Sequence, residues 1–467
     1  MRSVSTFGKL YAPVEIMRRV NNLFEQIIDL DNIALAHHKA KLGKKHYSEV
    51  QLVESNLDYY LSQVHEILKT KTFTTSKYVT KTIYEPKERV IYKLPYYPDR
   101  IVHHAVMNII QPIWDRVFID DCYSAIPKKG LHAGFLRLRK FLRDESNTRY
   151  CLKFDIKKYY PSMNHDILLS LVERKIKCKD TLWLLEDVIR SPGGGNNVPI
   201  GNYLSQYFAN IYLNWFDHWL KEEKGVKYYV RYSDDGVILH EDKGFLQSLL
   251  YEMVDYLDTN LKLKLNPKTQ IFMVDKRGVD FLGYRSFRNY TLLRKSSAKR
   301  FKSKLKYIEH NYNSLDPTYV ISAIMSYAGW LKYCDSYNLR KSFVYKDSIL
   351  SITDSASGRL GIENPVRSAM NEDYNRFSQF SVEKQVLSGD KINLTNILDK
   401  EILITDFRVS KSKFNERNYI TIQFIDGGVT FVTFTGSEVL INQLEKYKSK
   451  VPFYTTIVKK GRYFTLT

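Results

Sequence analysis

Apolar positions recur at helical spacing through 14–69, where Leu23, Ile27, Ile28 and Leu30 are followed by Leu57, Tyr60, Leu61, Val64 and Ile67. Residues three, four and seven apart share one side of a 3.6-residue helix, so the stretch predicts two helices parted by the basic loop 41–45. Between 78 and 94 the pattern alternates, and the turn Glu85-Pro86-Lys87-Glu88 marks a hairpin carrying Lys87 and Arg89. A helix is expected over 99–118. The middle of the chain then predicts a strand at 150–156, helices at 165–175 and 180–189, and a Gly193-Gly194-Gly195 loop. A helix over 203–224 follows, with an apolar face at Leu204, Phe208, Ile211, Trp215 and Trp219, then a hairpin and a helix at 245–260. This order predicts an α+β sheet with helices on one face.

Beyond Leu293 the pattern is helical and basic, with Lys295, Lys299, Arg300, Lys302, Lys304 and Lys306 close together. From 351 to about 400 the periodicity is lost and the composition turns polar, as in a linker. The tail predicts strands at 402–407, 419–425 and 429–434, a helix at 437–447, and strands at 454–459 and 462–467. The order β-β-β-α-β-β is that of five-stranded oligonucleotide-binding (OB) barrels.

Charge changes the picture. The 467 residues carry 71 Lys+Arg against 51 Asp+Glu, a net +20, together with 35 Tyr and 24 Phe. Cations neutralise phosphates and rings stack on unpaired bases, so the pairing suits nucleic acid, although a basic protein with large cores reads the same way. No apolar run approaches the roughly 18 residues of a membrane span, and the start lacks a signal peptide's apolar core, so a cytoplasmic protein without a membrane partner is expected. Cys122, Cys151, Cys178 and Cys334 form no Cys-x-x-Cys pair and read as reduced core residues.

Candidate chemistry begins at Ser233-Asp234-Asp235-Gly236, which sits between two apolar runs and predicts a tight hairpin with acids at its tip. Alone, Asp-Gly is an ordinary turn signal. Asp155, however, closes the apolar strand Lys153-Phe154-Asp155-Ile156, and neighbouring strands would bring it beside the tip. Carboxylates so gathered repel unless divalent cations lie between them, and oxygen donors suit Mg²⁺. Two such ions about 4 Å apart are the apparatus of phosphoryl transfer.

With these residues in view, the chain resembles bacterial reverse transcriptases over most of 80–345. Phe154-Asp155-Ile156-Lys157-Lys158-Tyr159-Tyr160-Pro161-Ser162 resembles motif A and Tyr232-Ser233-Asp234-Asp235 the Tyr-x-Asp-Asp of motif C. Pro199-Ile200-Gly201-Asn202-Tyr203-Leu204-Ser205-Gln206 is similar to motif B, Asn266-Pro267-Lys268-Thr269 to motif D, and Phe281-Leu282-Gly283-Tyr284 to the primer grip. The resemblance implies a right-hand polymerase with an OB-like tail. N-terminal helices and fingers would occupy 1–149, the palm 150–290 with a fingers segment at 176–200, the thumb 291–350, a linker 351–398 and the barrel 399–467.

It also implies roles. Asp155, Asp234, Asp235 and the main chain of Ile156 would hold two Mg²⁺ ions, with Mn²⁺ as the alternative. Lys87 and Arg89 would clasp the incoming deoxynucleoside triphosphate, with Ile200, Gly201 and Gln206 beside it. Tyr160 would exclude ribonucleotides, Lys268 would protonate pyrophosphate, and Lys295, Lys299, Arg300 and Lys302 would grip the template RNA and cDNA duplex. Ile200, where relatives usually have Gln, makes motif B similar to that of diversity-generating retroelements. Those elements copy with low fidelity at template adenine and work with a small accessory variability protein or another oligomeric partner. An anti-phage defence reverse transcriptase and a catalytically silent RNA-binding scaffold are the other readings; an RNA-dependent RNA polymerase is a further one, against which Tyr160 argues.

Overall fold

The computed structural model describes residues 18–84, 88–344, 346–369, 390–411, 418–426, 429–461 and 463–467. The chain divides into two compact units, Met1–Arg367 and Ser368–Thr467.

The first unit is built on a four-stranded antiparallel sheet. Its strands are β3 (Tyr150–Asp155), β4 (Tyr228–Tyr232), β5 (Asp235–His240) and β6 (Gln270–Met273), in the order β4-β5-β3-β6; β1 (Val79–Ile83) and β2 (Arg89–Lys93) form the earlier hairpin. The expected single helical layer is corrected, because both faces of the sheet are covered. Leu152, Phe154, Tyr229 and Ile238 belong to one core with the helices Tyr203–His218 and Lys243–Leu261. Cys151, Val230, Val237 and Leu239 belong to another, with the helix Leu131–Leu142 and the small sheet of β7 (Val279–Phe281), β8 (Tyr284–Ser286) and β9 (Thr291–Leu293). Unbroken apolar runs such as Tyr228-Tyr229-Val230 and Val237-Ile238-Leu239 have this cause: a strand buried on both faces has no need to alternate.

The N-terminal pattern resolves into four helices, Phe24–Ile28, Leu30–Ala40, Ser48–Ser55 and Leu57–Lys69. The break after Ile28 comes at Asp29, whose carboxylate caps the second helix by accepting from the N–H groups of Asp31 and Asn32. Past β9, the helix Lys295–Asn311 buries Phe301, Leu305 and Ile308. Its exposed Lys295, Lys299, Lys302 and Lys306 stand at i, i+4, i+7 and i+11, a single stripe along the opposite side. Helix continues through Asp347–Leu360, running into the stretch from 351 read as a linker, where Ile352 and Ala356 are buried. The four cysteines are unpaired.

The second unit corrects the barrel. Its sheet runs β10-β13-β12-β11-β14-β15, from β10 (Asp390–Lys391), β11 (Glu401–Lys411), β12 (Asn418–Asp426), β13 (Val429–Thr435), β14 (Phe453–Lys460) and β15 (Tyr463–Leu466). The strand and helix order is the expected one, yet the sheet stays open. Closure would pair β13 with β15. The outer edge of β13 is instead taken by β10, with Asp390 opposite Phe431 and Lys391 opposite Val432. On β15 the Leu466 N–H donates to Gln443 Oε1 at 2.9 Å, so the helix Glu438–Lys446 occupies that strand's free main-chain donor. Alternation along β11 and β12 buries Ile402, Ile404, Phe407, Ile420, Ile422 and Phe424 against Leu440, Ile441 and Leu444 of this helix.

Candidate active site

Pairing of β3 with β5 sets Asp155 opposite Asp235, and β4 turns into β5 through Ser233 and Asp234 alone. The antiparallel ladder therefore delivers the three acids to one end of the sheet. The expected Asp-Gly turn is not what makes the bend, since Gly236 lies inside β5 opposite Phe154. A Cβ there would stand 2.2 Å from the Phe154 ring, so close packing beneath the acids demands the glycine. The left-handed residue of the loop is Ser233, at φ 55°.

The Asp155 carboxylate lies beside Asp234 and disfavours its ionised form. Burial first, and then the Asp155 charge, pushes Asp234 up to about 6. Burial also pushes Asp235 up to about 7; the Lys153 ammonium opposes that rise and the other two acids add to it. Lys153 Nζ lies 3.7 Å from Asp235 Oδ1, an oxygen that has no hydrogen-bond partner. Among the described residues no three His, Cys, Asp or Glu side chains converge as a ready-made metal set. In the expected cluster Asp234 thus stands beside Asp155 and Asp235 beside an ammonium, so like charges are crowded at one end of the sheet. The donors fit a divalent cation: carboxylate oxygens rendered costly by burial, one of them unpartnered, are what Mg²⁺ or Mn²⁺ takes.

This makes a measurable linkage. A carboxyl whose folded pKa is raised contributes stability that is complete below its unfolded value, near 3.8, and is lost as pH rises through the folded values, about 6 for Asp234 and about 7 for Asp235. A divalent cation replaces the protons above that window. Adding Mg²⁺ should raise the melting temperature at pH 7.5 and change it little at pH 5, as read by scanning fluorimetry. An equal rise at both pH values would place the ion elsewhere.

Asn266 was placed by motif alone, and the structure shows what it touches. Its Nδ2 donates to Asp155 Oδ2 at 2.9 Å and its main-chain N–H to the Asp155 carbonyl at 2.7 Å, so it orients the first acid. The Ile156 side chain is buried, and its N–H donates to the Asp234 carbonyl at 3.2 Å. Lys268 is exposed in the turn after Asn266, whose Oδ1 accepts from the Lys268 N–H. A cleft of about 470 Å³ opens beside the acids, lined by Lys153, Asp155, Asp235, Lys268, Arg277 and Arg294 among others.

The other predicted residues fall into three groups. Tyr160 and Ile200 are half-buried and Gln206 is exposed. The Ile200 carbonyl accepts from the Tyr92 N–H at 2.8 Å, which ties β2 and its exposed first residue, Arg89, to the loop before the helix Tyr203–His218. Gly201, at φ 122°, touches the same strand: a Cβ on it would lie 2.6 Å from the Tyr92 carbonyl oxygen. Lys87 lies outside the described residues. Phe281, Leu282 and Tyr284 are buried, and Tyr284 donates to the Trp330 carbonyl at 2.9 Å, so at this hairpin the side chains belong to the core. Leu282 and Gly283 form its tip at φ 50° and 87°. Lys295, Lys299, Arg300 and Lys302 are exposed on their helix.

Within this frame the comparisons are specific. Residues 80–286 match the reverse transcriptase (RNA-dependent DNA polymerase) family. The match contains β2 to β8 and Asp155, Asp234 and Asp235. Residues 388–467, essentially the second compact unit, match a family described as a domain of unknown function. The chain is 27% identical over 238 residues to protein YkfC of Escherichia coli (strain K12), covering 42% of this chain and 62% of that protein. It is 26% identical over 139 residues to the group II intron-encoded protein LtrA of Lactococcus lactis subsp. cremoris, covering 28% and 23%. A putative COX1/OXI3 intron 2 protein of Saccharomyces cerevisiae is 20% identical over 256 residues, covering 40% and 29%. The chain therefore spans less than two thirds of the length of each of these relatives.

Proposed function

We propose that this chain is an RNA-directed DNA polymerase that makes cDNA by two-metal-ion nucleotidyl transfer, with a right-hand arrangement of fingers, palm and thumb. The observation that carries the reading is the delivery of Asp155, Asp234 and Asp235 to one end of β3–β5, inside the segment that matches the reverse transcriptase family. Asp155, steadied by Asn266, Asp234 and Asp235 would hold the ions with the Ile156 carbonyl, and Lys153 lies beside Asp235. When bound, such ions lower the pKa of a primer 3′-hydroxyl and offset charge on the leaving pyrophosphate. The chain's own groups do the rest. Arg89, with Lys87, would meet the triphosphate, held in place because Gly201 lets β2 approach. Tyr160 would fill the space beside a ribose 2′-carbon, and Lys268 would donate a proton to pyrophosphate. The exposed stripe Lys295, Lys299 and Lys302, with Arg300, would follow duplex phosphates. Any primer contact at Leu282-Gly283 would use the main chain, since the neighbouring side chains are buried.

Extension of a DNA primer on an RNA template with Mg²⁺ tests the reading. Deoxynucleotides should be used, and Tyr160→Val should admit ribonucleotides. Failure of the wild-type chain to extend with either Mg²⁺ or Mn²⁺ would sink the proposal. Motif B, with Ile200 ahead of Gly201, supports a diversity-generating role with errors opposite adenine. Sequencing the RNA and cDNA that co-purify would show adenine-directed errors if that is right, and faithful copies otherwise.

For the tail the proposal is single-strand binding on the sheet face opposite its core. Tyr454 is 69% exposed and Phe434 47%, and the ladder puts both on that face. Phe431 is packed on Phe424, with ring centres 5.7 Å apart, so it belongs to the core. Tyr454→Ala in the full chain should weaken single-stranded RNA binding about five- to a hundredfold, since stacking is worth roughly 1–3 kcal/mol per base. Unchanged affinity would reassign this face.

A further inference from the structure

Asp234 is presented by a loop whose left-handed first residue is held by a side chain that no polymerase motif accounts for. The carbonyl of Ser233, at φ 55°, accepts from Arg231 Nη1 at 2.8 Å. Arg231 is completely buried, and so is Asp217. The Asp217 carboxylate accepts from Arg231 Nε at 2.8 and 3.0 Å, from Nη2, and from the Tyr229 hydroxyl at 2.7 Å. Asn210 Oδ1 lies 3.4 Å from Arg231 Nη1. The main chain of Arg231 is fixed as well: its N–H donates to the Asp121 carbonyl and its carbonyl accepts from the Tyr123 N–H, each at 3.0 Å. Asn210 and Asp217 sit on the helix Tyr203–His218, directly after the loop that carries Gly201.

We infer that Arg231 is a positioning residue: anchored by Asp217, its guanidinium holds the Ser233 carbonyl and thereby sets the direction in which Asp234 leaves the hairpin. The inference rests on the polymerase reading above. A purely structural ion pair is the alternative, and it accounts for less. Desolvation offsets much of the attraction in a fully buried pair, so apolar residues of similar volume would serve stability as well. Here the planar fork of donors reaches a carboxylate and the loop carbonyl from one rigid group, a task an ammonium does poorly. A residue left of φ 0° would turn the following peptide differently, so releasing the carbonyl frees the loop to relax and carries Asp234 away from Asp155.

Two variants separate the roles. Arg231→Lys keeps a buried charge opposite Asp217 but loses the fork. Arg231→Met combined with Asp217→Asn removes both charges, so neither is stranded, while the new amide still accepts from the Tyr229 hydroxyl. Single-nucleotide incorporation is measured across a Mg²⁺ titration at a temperature well below each variant's melting point. With template-primer affinity and KM for the deoxynucleotide within about twofold of wild type, kcat should fall on the order of ten- to a hundredfold and half-saturating Mg²⁺ should rise several-fold, as expected for an acid displaced by about an ångström. Wild-type kcat and Mg²⁺ dependence in either folded variant, whatever its melting temperature, would overturn the inference. A wild-type chain that extends no primer would instead defeat the polymerase reading itself.

Discussion

Asp234→Asn should abolish DNA synthesis, by at least about a thousandfold, while leaving RNA affinity within about twofold. The carboxylate is exchanged for a neutral amide, a poor ligand for a hard cation, whereas no phosphate contact is touched. The change also removes the carboxyl whose ionisation burial and the Asp155 charge oppose, so the variant should not lose stability to charge repulsion as pH rises through about 6. Greater stability than wild type at neutral pH without Mg²⁺, combined with lost synthesis, would distinguish a missing ligand from a damaged fold. Extension at near wild-type rate would remove Asp234 from the metal site.

Gly201→Ala should cut the efficiency of nucleotide incorporation roughly ten- to three-hundredfold, mainly through a higher KM. At φ 122° an L side chain is strained, and the added Cβ meets a main-chain oxygen, Tyr92 O, at 2.6 Å, with Ile91 Cγ2 at 3.0 Å. The main chain of β2 cannot give way without disturbing its ladder to β1. Displacement loses the Tyr92 to Ile200 hydrogen bond, worth about 0.5–1.5 kcal/mol, and adds backbone strain of roughly 1–2 kcal/mol. Together these come to about 1.5–3.5 kcal/mol, and each 1.4 kcal/mol is tenfold. The hairpin that presents Arg89 would then lie further from the acids. Steady-state kinetics with a melting curve would check this. An efficiency within threefold of wild type would show that the loop and β2 act independently.

The gathering of the three acids was legible in the residues themselves. Asp155 ends an apolar strand, Asp235 begins one and Asp234 stands in the turn before it, and such runs declare their strands through the side chains they must bury. The stripe of Lys295, Lys299 and Lys302 and the β-β-β-α-β-β order of the tail were equally local, because helix and strand periods are properties of neighbouring residues.

Everything that depended on a distant partner was decided only by the tertiary structure. The unbroken run Val237-Ile238-Leu239 suits burial on both faces, but which segments cover the second face, the helix Leu131–Leu142 and β7 to β9, cannot be read from it. Gly236 looks like a turn glycine until Phe154, far back in the chain, is seen pressing on it, and Gly201 looks like motif decoration until Tyr92 lies against it. Whether the tail closes depends on who reaches the edge of β13, and β10, within the stretch read as a linker, reaches it. Asn266 on Asp155 and Arg231 on the Ser233 carbonyl are of the same kind. Hydrogen-bond partners, close approaches and strand edges are settled by which remote segments the folded chain brings together, whereas the strands, the helices and the acids at their ends follow from residues only a few places apart.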